Sequence, residues 1–200
     1  MTTQKTLEKI LEIQKADAAR NFLIEELIKE LNADLLKEEA KKNGTGNKKK
    51  AADNILKQLK NSGKQGGAIT TADGSQIIGG AFSAVKLIKP LPVEPAPGNI
   101  PPIDYIYCLD SAAKNNGVKM DLPALAELST HIKAGKANKN KYIYYDFGEG
   151  LPLVDAQYLY DILVLLPDSV CIASKEALTR AIYFKSEAGE GLLLPCRKKA

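Results

Sequence analysis

The sequence predicts an α+β protein in which helices pack on an antiparallel sheet. Residues 4–42 contain neither glycine nor proline and are rich in Ala, Leu, Glu and Lys, which is typical of helix. Asp73-Gly74 lies between two apolar runs and is a strong short signal for a β-hairpin. In the last third, one amphipathic helix is followed by three apolar runs that are too short for helices.

Length and composition restrict the class of protein. The 200 residues suit one domain with an appendage, or two small domains, and the 44% hydrophobic and 26% charged fractions are those of an ordinary globular chain. A net charge of +4 does not by itself indicate nucleic-acid binding. The sequence contains no bilayer-length apolar run and no secretory signal, so we expect a cytoplasmic location and no membrane partner. Three widely separated cysteines predict a reduced chain with buried thiols.

The first 47 residues predict an N-terminal helical arm. Its second apolar stripe contains Phe22, Leu27, Ile28, Leu31 and Leu35, and a bend or helical hairpin is expected near residues 17–21. The stripe can pack on the body of the same chain, which we favour, or pair with another copy in a homo-oligomer.

A break at Asn43–Asn47 separates this arm from a predicted domain at residues 48–200. We expect the lysines at 48–50 to lie on a solvated loop, and a helix to span Ala51–Asn61. The alternative interpretation is that these lysines bind nucleic-acid phosphates, because clustered lysines release counterions when they do so. On this helix, Lys57 and Lys60 lie near one another, and Lys64 lies just beyond it.

The next segment predicts strands and a connector. Gly66–Pro90 is expected to form a hairpin and then a third strand at Phe82–Ile88. Its glycines lack the Gly-Lys-Ser/Thr sequence of a phosphate loop, so we assign them to turns. Residues 90–102 are rich in proline and predict an extended connector that crosses the surface, with a polyproline ligand for a partner as the alternative.

The middle of the domain predicts two helical segments and a basic loop. An apolar run at Ile103–Leu109 precedes a short helical turn through Ala113–Asn115, and an inserted helix is expected at residues 123–133, with an apolar face formed by Leu125, Leu128 and Ile132. We interpret His131 as structural. Residues 133–141 form a second lysine-rich stretch, predicted as a mobile loop, and whether it meets the first stretch is left open.

The last third predicts one helix and three strands. Asp155 lies at an N-cap position and Pro167 closes the helix. Its predicted apolar stripe consists of Leu159, Ile162, Leu163 and Leu166, and the residues predicted to be exposed are Gln157, Tyr160 and Asp161. The three strands are expected at Val170–Ala173, Ala181–Lys185 and Leu192–Leu194.

Two segments of this region resemble a known family. Tyr158–Leu163 and the tail Leu194-Pro195-Cys196-Arg197 resemble the terminal half-domain of the bacterial β-type DNA polymerase sliding clamp, and Asp73–Leu87 resembles its paired strands. The resemblance implies a DNA-clamp-like α+β domain, helices that offer lysines to duplex DNA, and a tail that helps wall a pocket for a replication-protein peptide. A clamp subunit has three such domains, and this chain has room for one.

The sequence therefore predicts a non-enzymatic binding protein, a phage-type replication accessory that contacts duplex DNA or a replication-protein peptide. The alternatives are a structural or regulatory oligomerising protein with no DNA role, and an unrecognised hydrolase. The tripeptide Asp146-Phe147-Gly148 matches a magnesium-binding motif of protein kinases, but the other kinase motifs do not accompany it. We predict no catalytic residue, metal or cofactor. The DNA-binding candidates are Lys48, Lys49, Lys50, Lys57, Lys60, Lys64, Lys136, Lys139 and Lys141, and the peptide-pocket candidates are Leu194, Pro195, Cys196 and Arg197.

Overall fold

A computed structural model describes residues 8–10, 13, 20–61, 67–99, 103–114, 117–174 and 180–196. The chain divides into two compact units, Met1–Gly46 and Asn47–Ala200. Each unit is described by itself.

The first unit is helical in all of its described segments before the turn at Asn43. Helix α1 spans Arg20–Lys42, and residues 8–10 and 13 are also helical. Lys9 forms an ion pair with Glu30. Residues 21 positions apart lie roughly 30 Å apart in one straight helix, so this ion pair fits the predicted helical hairpin, although residues 17–19 of its bend lie outside the described residues. Phe22 and Leu35 of the predicted stripe are each 63% exposed.

The second unit is built on an antiparallel sheet. Its strands and those of a separate hairpin are β1 Ala68–Thr70, β2 Gln76–Gly79, β3 Ser83–Leu87, β4 Gly117–Met120, β5 Tyr144–Asp146, β6 Leu153–Asp155, β7 Val170–Ser174, β8 Ile182–Ser186 and β9 Gly189–Leu193. The seven-stranded antiparallel sheet has the order β1-β2-β3-β9-β8-β7-β4, and the two-stranded hairpin joins β5 to β6. The predicted class, α+β with helices on an antiparallel sheet, is confirmed.

Helices cover both faces of the sheet because its strands bury both sets of side chains. On β2, Ile78 belongs to the core beneath α2 (Gly46–Asn61) and α5 (Ala156–Leu165), whereas its neighbour Ile77 belongs to the core beneath α3 (Tyr105–Ala113). This alternation follows from the two-residue period of a strand. The helices are α2 Gly46–Asn61, α3 Tyr105–Ala113, α4 Leu125–Ala137 and α5 Ala156–Leu165, with a short 3₁₀ turn at Pro97–Asn99.

The predicted β1–β2 hairpin is confirmed, with Ala68 opposite Ile78. Its turn is held by Asp73, whose Oδ1 accepts hydrogen bonds from the Ser75 backbone N–H (3.0 Å) and the Ser75 hydroxyl (2.6 Å). Gly74 adopts a φ of 79°, a conformation that favours glycine. These bonds, with those from Thr71 and Lys86, hold the pKa of the Asp73 carboxyl well below its usual range.

The proline-rich connector packs on the body of the second unit. Leu91 and Val93 are buried in the core beneath α2 and α5. The Gln76 side chain accepts a hydrogen bond from the Leu91 backbone N–H (2.9 Å) and donates one to the Leu91 carbonyl (3.1 Å). The buried amide of Gln76 therefore satisfies both backbone groups of Leu91, which lies between Pro90 and Pro92.

Several predicted helix boundaries are wrong. Helix α2 begins at Gly46 rather than Ala51, and α4 continues to Ala137 rather than ending at 133. The α2 extension contains three lysines, and the α4 extension contains two alanines and Lys136. Lysine and alanine are good helix formers, so helix propensity prevails where charge predicted a loop. The run at 103–109 is largely helix, because Asp104 caps it by accepting a hydrogen bond from the Tyr107 N–H (3.0 Å). No described helix has both the length and the apolar character needed to cross a membrane.

Candidate functional site

The second unit contains a cleft between α2, α4 and α5 with a volume of about 590 Å³, which we call the lysine cleft. This volume lies within the range of pockets that hold small organic ligands. Its walls combine cationic, amide, carboxyl and aromatic side chains. The lining residues are Asn47, Lys50, Ala51 and Asn54 of α2, Ser129, Ile132, Lys133 and Lys136 of α4, and Gln157, Tyr158, Tyr160, Asp161 and Val164 of α5.

Three exposed lysines from two distant basic stretches meet at this cleft. Lys50 belongs to the stretch around 41–50, and Lys133 and Lys136 belong to the stretch at 133–141. Helix α4 includes both Lys133 and Lys136. Residues three apart on a helix share one side of it, so these two lysines lie on the same side of α4. The Lys136 Nζ also donates a hydrogen bond to Gln157 Oε1 at 3.1 Å. The convergence that the sequence left open is therefore present in the fold.

The other predicted DNA-binding lysines that the structure describes do not line the cleft. Lys49 is 7% exposed and pairs with Asp53 at 2.7 Å, and Lys60 pairs with Glu94 at 3.3 Å. The remaining candidates are Lys48, Lys57, Lys139 and Lys141, which lie elsewhere in the described chain, and Lys64, which lies outside the described residues. Of the nine predicted lysines, Lys50 and Lys136 are brought together, and Lys133 was missed.

Asp161, which we predicted to be exposed, is 2% exposed, so that prediction is wrong. Its Oδ1 accepts hydrogen bonds from Asn54 Nδ2 (3.1 Å) and Gln157 Nε2 (3.2 Å). Its Oδ2 has no hydrogen-bond partner among the described residues. A single-helix pattern could not reveal this burial, because Asn54 lies 107 positions away in the sequence.

The carboxyl groups near the cleft are electrostatically perturbed by burial. The pKa of Asp161 is raised to about 6, chiefly by burial and also by the charge of Asp155, while the hydrogen bonds from Asn54 and Gln157 and the charge of Lys136 oppose that rise. Burial also raises the pKa of Asp155, against the opposing effect of two backbone N–H donors. The charge of the cleft wall therefore changes close to neutral pH, which is common at functional sites.

The predicted peptide-pocket tail is used in backbone pairing. The Leu194 N–H donates to the Phe82 carbonyl (2.8 Å), and the Cys196 N–H donates to the Leu153 carbonyl (2.7 Å). The Leu194 side chain is 40% exposed, and Pro195 and Cys196 are half-buried. Arg197 lies outside the described residues, and Leu194, Pro195 and Cys196 do not line the lysine cleft.

Two residues that the sequence analysis set aside have structural roles in the fold. The ring of His131 lies edge-on to Tyr145, and its Nε2 is 2.8 Å from the Tyr144 carbonyl. Asp146 accepts a hydrogen bond from the Gly148 N–H (3.0 Å), and Gly148 has a φ of 114°. The tripeptide Asp146-Phe147-Gly148 therefore forms a turn.

No protein-family model matches the chain, and no curated protein or solved structure matches it either. Among the described residues, no three His, Cys, Asp or Glu side chains are grouped to hold a metal ion. The chemistry that the described residues do offer is cationic and hydrogen-bonding, centred on the lysine cleft.

Proposed function

We propose that the protein binds DNA without catalysing a reaction, as a replication accessory, and that the lysine cleft holds backbone phosphates. The observation that carries this proposal is the meeting of Lys50 with Lys133 and Lys136 in one cleft. Converging lysines are the electrostatic footprint of a phosphate-binding surface. The resemblance to a sliding-clamp half-domain adds independent support, because helices of that family offer lysines to duplex DNA.

The cleft favours DNA over the other proposed partner, a replication-protein peptide. A peptide site of the clamp kind needs an apolar groove beside the C-terminal tail. Here the described tail residues pair their backbone with Phe82 and Leu153. The concentrated positive charge lies at the lysine cleft instead.

A second candidate function is assembly with further copies of this chain through α1. It is favoured by the exposed apolar side chains of Phe22, Ile28 and Leu35 on that helix. This candidate needs no DNA. It is also compatible with DNA binding, since a ring around duplex DNA would require several copies.

The test of DNA binding is the salt dependence of affinity in two matched triple variants. In one, Lys50, Lys133 and Lys136 of the cleft are replaced by alanine. In the control, Lys57, Lys89 and Lys141 are replaced, which are exposed lysines outside the cleft. Both variants lose the same charge, so non-specific electrostatic attraction falls equally in both.

We expect the cleft variant to bind DNA more weakly than the control at every salt concentration. The slope of log affinity against log salt concentration should fall by up to about 0.9 for each lysine that contacts a phosphate. Fluorescence anisotropy with labelled duplex and single-stranded DNA measures both quantities. Equal affinities and equal slopes for the two variants would contradict the proposal.

A further inference from the structure

We infer that the lysine cleft receives a single unpaired nucleotide, whose base presents an amino group to Asp161 while its phosphate lies against the lysines. This inference rests on the proposed function and names the part of the nucleic acid that the cleft recognises. It assigns a role in base selection to Asp161 and a role in phosphate binding to Lys50, Lys133 and Lys136.

The first argument is the unused acceptor of Asp161. The side chain is 2% exposed, and its Oδ2 has no hydrogen-bond partner among the described residues. Buried carboxyl oxygens in folded proteins nearly always have a partner, because leaving one unsatisfied costs the desolvation of that atom. Asp161 also belongs to the cleft wall. A ligand that donates a hydrogen bond inside the cleft would supply the missing partner.

The second argument identifies the kind of donor. Asn54 and Gln157 already donate to Oδ1, so Oδ2 is the oxygen of this buried carboxyl group that lacks a donor among the described residues. A carboxylate oxygen only accepts hydrogen bonds, and an Asp or Glu accepting from the cytosine N4 amino group is an established pairing. Uracil and thymine carry a carbonyl oxygen at that position, which an ionised carboxylate repels.

The third argument concerns the rest of the nucleotide. The three lysines supply positive charge for a phosphate, and the volume of about 590 Å³ suits a ligand of nucleotide size. Tyr158 and Tyr160 also line the cleft. Tyrosine rings are surfaces on which unpaired bases stack. In a duplex the base amino groups are already paired, so a strand with unpaired bases fits the cleft better.

The deciding experiment compares wild-type affinity for oligo(dC) and oligo(dU) of equal length at pH 8, where Asp161 is ionised. The two bases have nearly the same shape and differ at the group that would face Asp161. We expect oligo(dC) to bind about tenfold more tightly or better, the scale of one hydrogen bond to a charged group. This comparison needs no variant, so it does not depend on the folding of a mutant.

The variant Asp161→Asn then tests the residue. An asparagine that keeps its oxygen toward Asn54 and Gln157 turns its amino group toward the ligand. We therefore expect the preference for oligo(dC) over oligo(dU) to be lost or reversed. The control is Asp168→Asn, which makes the same charge change at an exposed turn residue outside the cleft and should keep the wild-type preference.

Mononucleotides distinguish the two sources of the ligand. If dCMP shows the same preference over dUMP, the cleft takes a free nucleotide, whereas a preference seen with oligonucleotides and not with mononucleotides indicates a strand. Either result supports the inference. Equal wild-type affinity for oligo(dC) and oligo(dU), with binding still dependent on the cleft lysines, would overturn this inference and leave the proposed function standing. Absence of binding to all of these unpaired ligands would overturn this inference, and the proposed function would fall with it only if duplex DNA also does not bind.

Discussion

At the scale of single residues, Asp161 is the most informative position in the chain. It combines near-complete burial with an unused acceptor and a pKa raised by burial to about 6. Such a carboxyl group is a cost to the fold at neutral pH, because the folded state favours its protonated form more than the unfolded state does. A residue kept at this cost is a strong candidate for contact with a ligand.

The first prediction is that wild-type stability falls as pH rises because of Asp161. Its pKa is raised from 3.8 to about 6, so the folded state binds more protons than the unfolded state between those values. The free energy of unfolding should therefore decline through this window by up to about 3 kcal/mol, at about 1.4 kcal/mol per pKa unit. Urea unfolding at pH 4, 5, 7 and 8 measures the decline.

The variant Asp161→Asn separates this effect from those of the other carboxyl groups. Asparagine does not titrate, so the free energy of unfolding of the variant should lack the part of the decline that Asp161 causes. The variant should therefore become more stable relative to wild type as pH rises. The exposed-site variant Asp168→Asn should follow the wild-type profile. Parallel profiles for wild type and Asp161→Asn would show that Asp161 titrates normally in the folded protein.

At the scale of secondary-structure elements, helix α5 follows the sequence prediction at both ends. Asp155 Oδ1 accepts hydrogen bonds from the backbone N–H groups of Gln157 (2.9 Å) and Tyr158 (3.1 Å), so the predicted N-cap is confirmed. The helix ends at Leu165, two residues before Pro167. The stripe of Leu159, Ile162, Leu163 and Leu166 is buried as predicted.

The second prediction concerns this cap. Replacing Asp155 by alanine removes the acceptor for two N–H groups and should lower the free energy of unfolding by about 1 kcal/mol. Asparagine keeps an acceptor oxygen at the same position, so Asp155→Asn should remain close to wild type. Thermal unfolding of the three proteins at one pH is the measurement. Equal losses in both variants would indicate that the negative charge, rather than the cap geometry, matters at this position.

Strands and helices differed in how well their limits could be predicted. The hairpin at Asp73-Gly74 and the strands at 170–174 and 182–186 lie close to their predicted places, because turn residues mark them locally. Strand β9 begins at Gly189, three residues before the predicted start at Leu192, because its first residues pair with β3 and β8. Strand β4 at Gly117–Met120 was missed, since four residues without a clear alternation gain their structure from pairing with β7. The start of α2 and the end of α4 extend into segments whose charge predicts loops, because lysine and alanine are good helix formers.

At the scale of the whole molecule, the exposed side of α1 predicts self-association. Phe22, Ile28 and Leu35 are 63%, 52% and 63% exposed. Apolar side chains at helical spacing are buried when two such helices pair. We therefore expect a mass above the 21.6 kDa of one chain, increasing with protein concentration. Light scattering with and without duplex DNA, at low and moderate salt, provides the measurement.

Paired substitutions test whether this self-association occurs through α1. Ile28→Asp with Leu35→Asp should return the chain to monomer mass, because charge in an apolar interface is costly. The control, Lys29→Ala with Lys37→Ala, alters exposed polar positions of the same helix and should leave the mass unchanged. A monomer at every concentration would exclude assembly through α1. A ring-sized mass that appears with DNA would favour the clamp interpretation.

The sequence by itself determined the α+β class, most strands, the cap of α5 and the apolar stripe of that helix, since periodicity, capping residues and turn residues act over a few positions. The tertiary structure decided the site. The sheet supports α2, α4 and α5 together, and this places Lys50 beside Lys133 and Lys136, and Asn54 against Asp161. These partners are separated by more than 80 positions, and their proximity depends on how the helices pack, which no local pattern encodes.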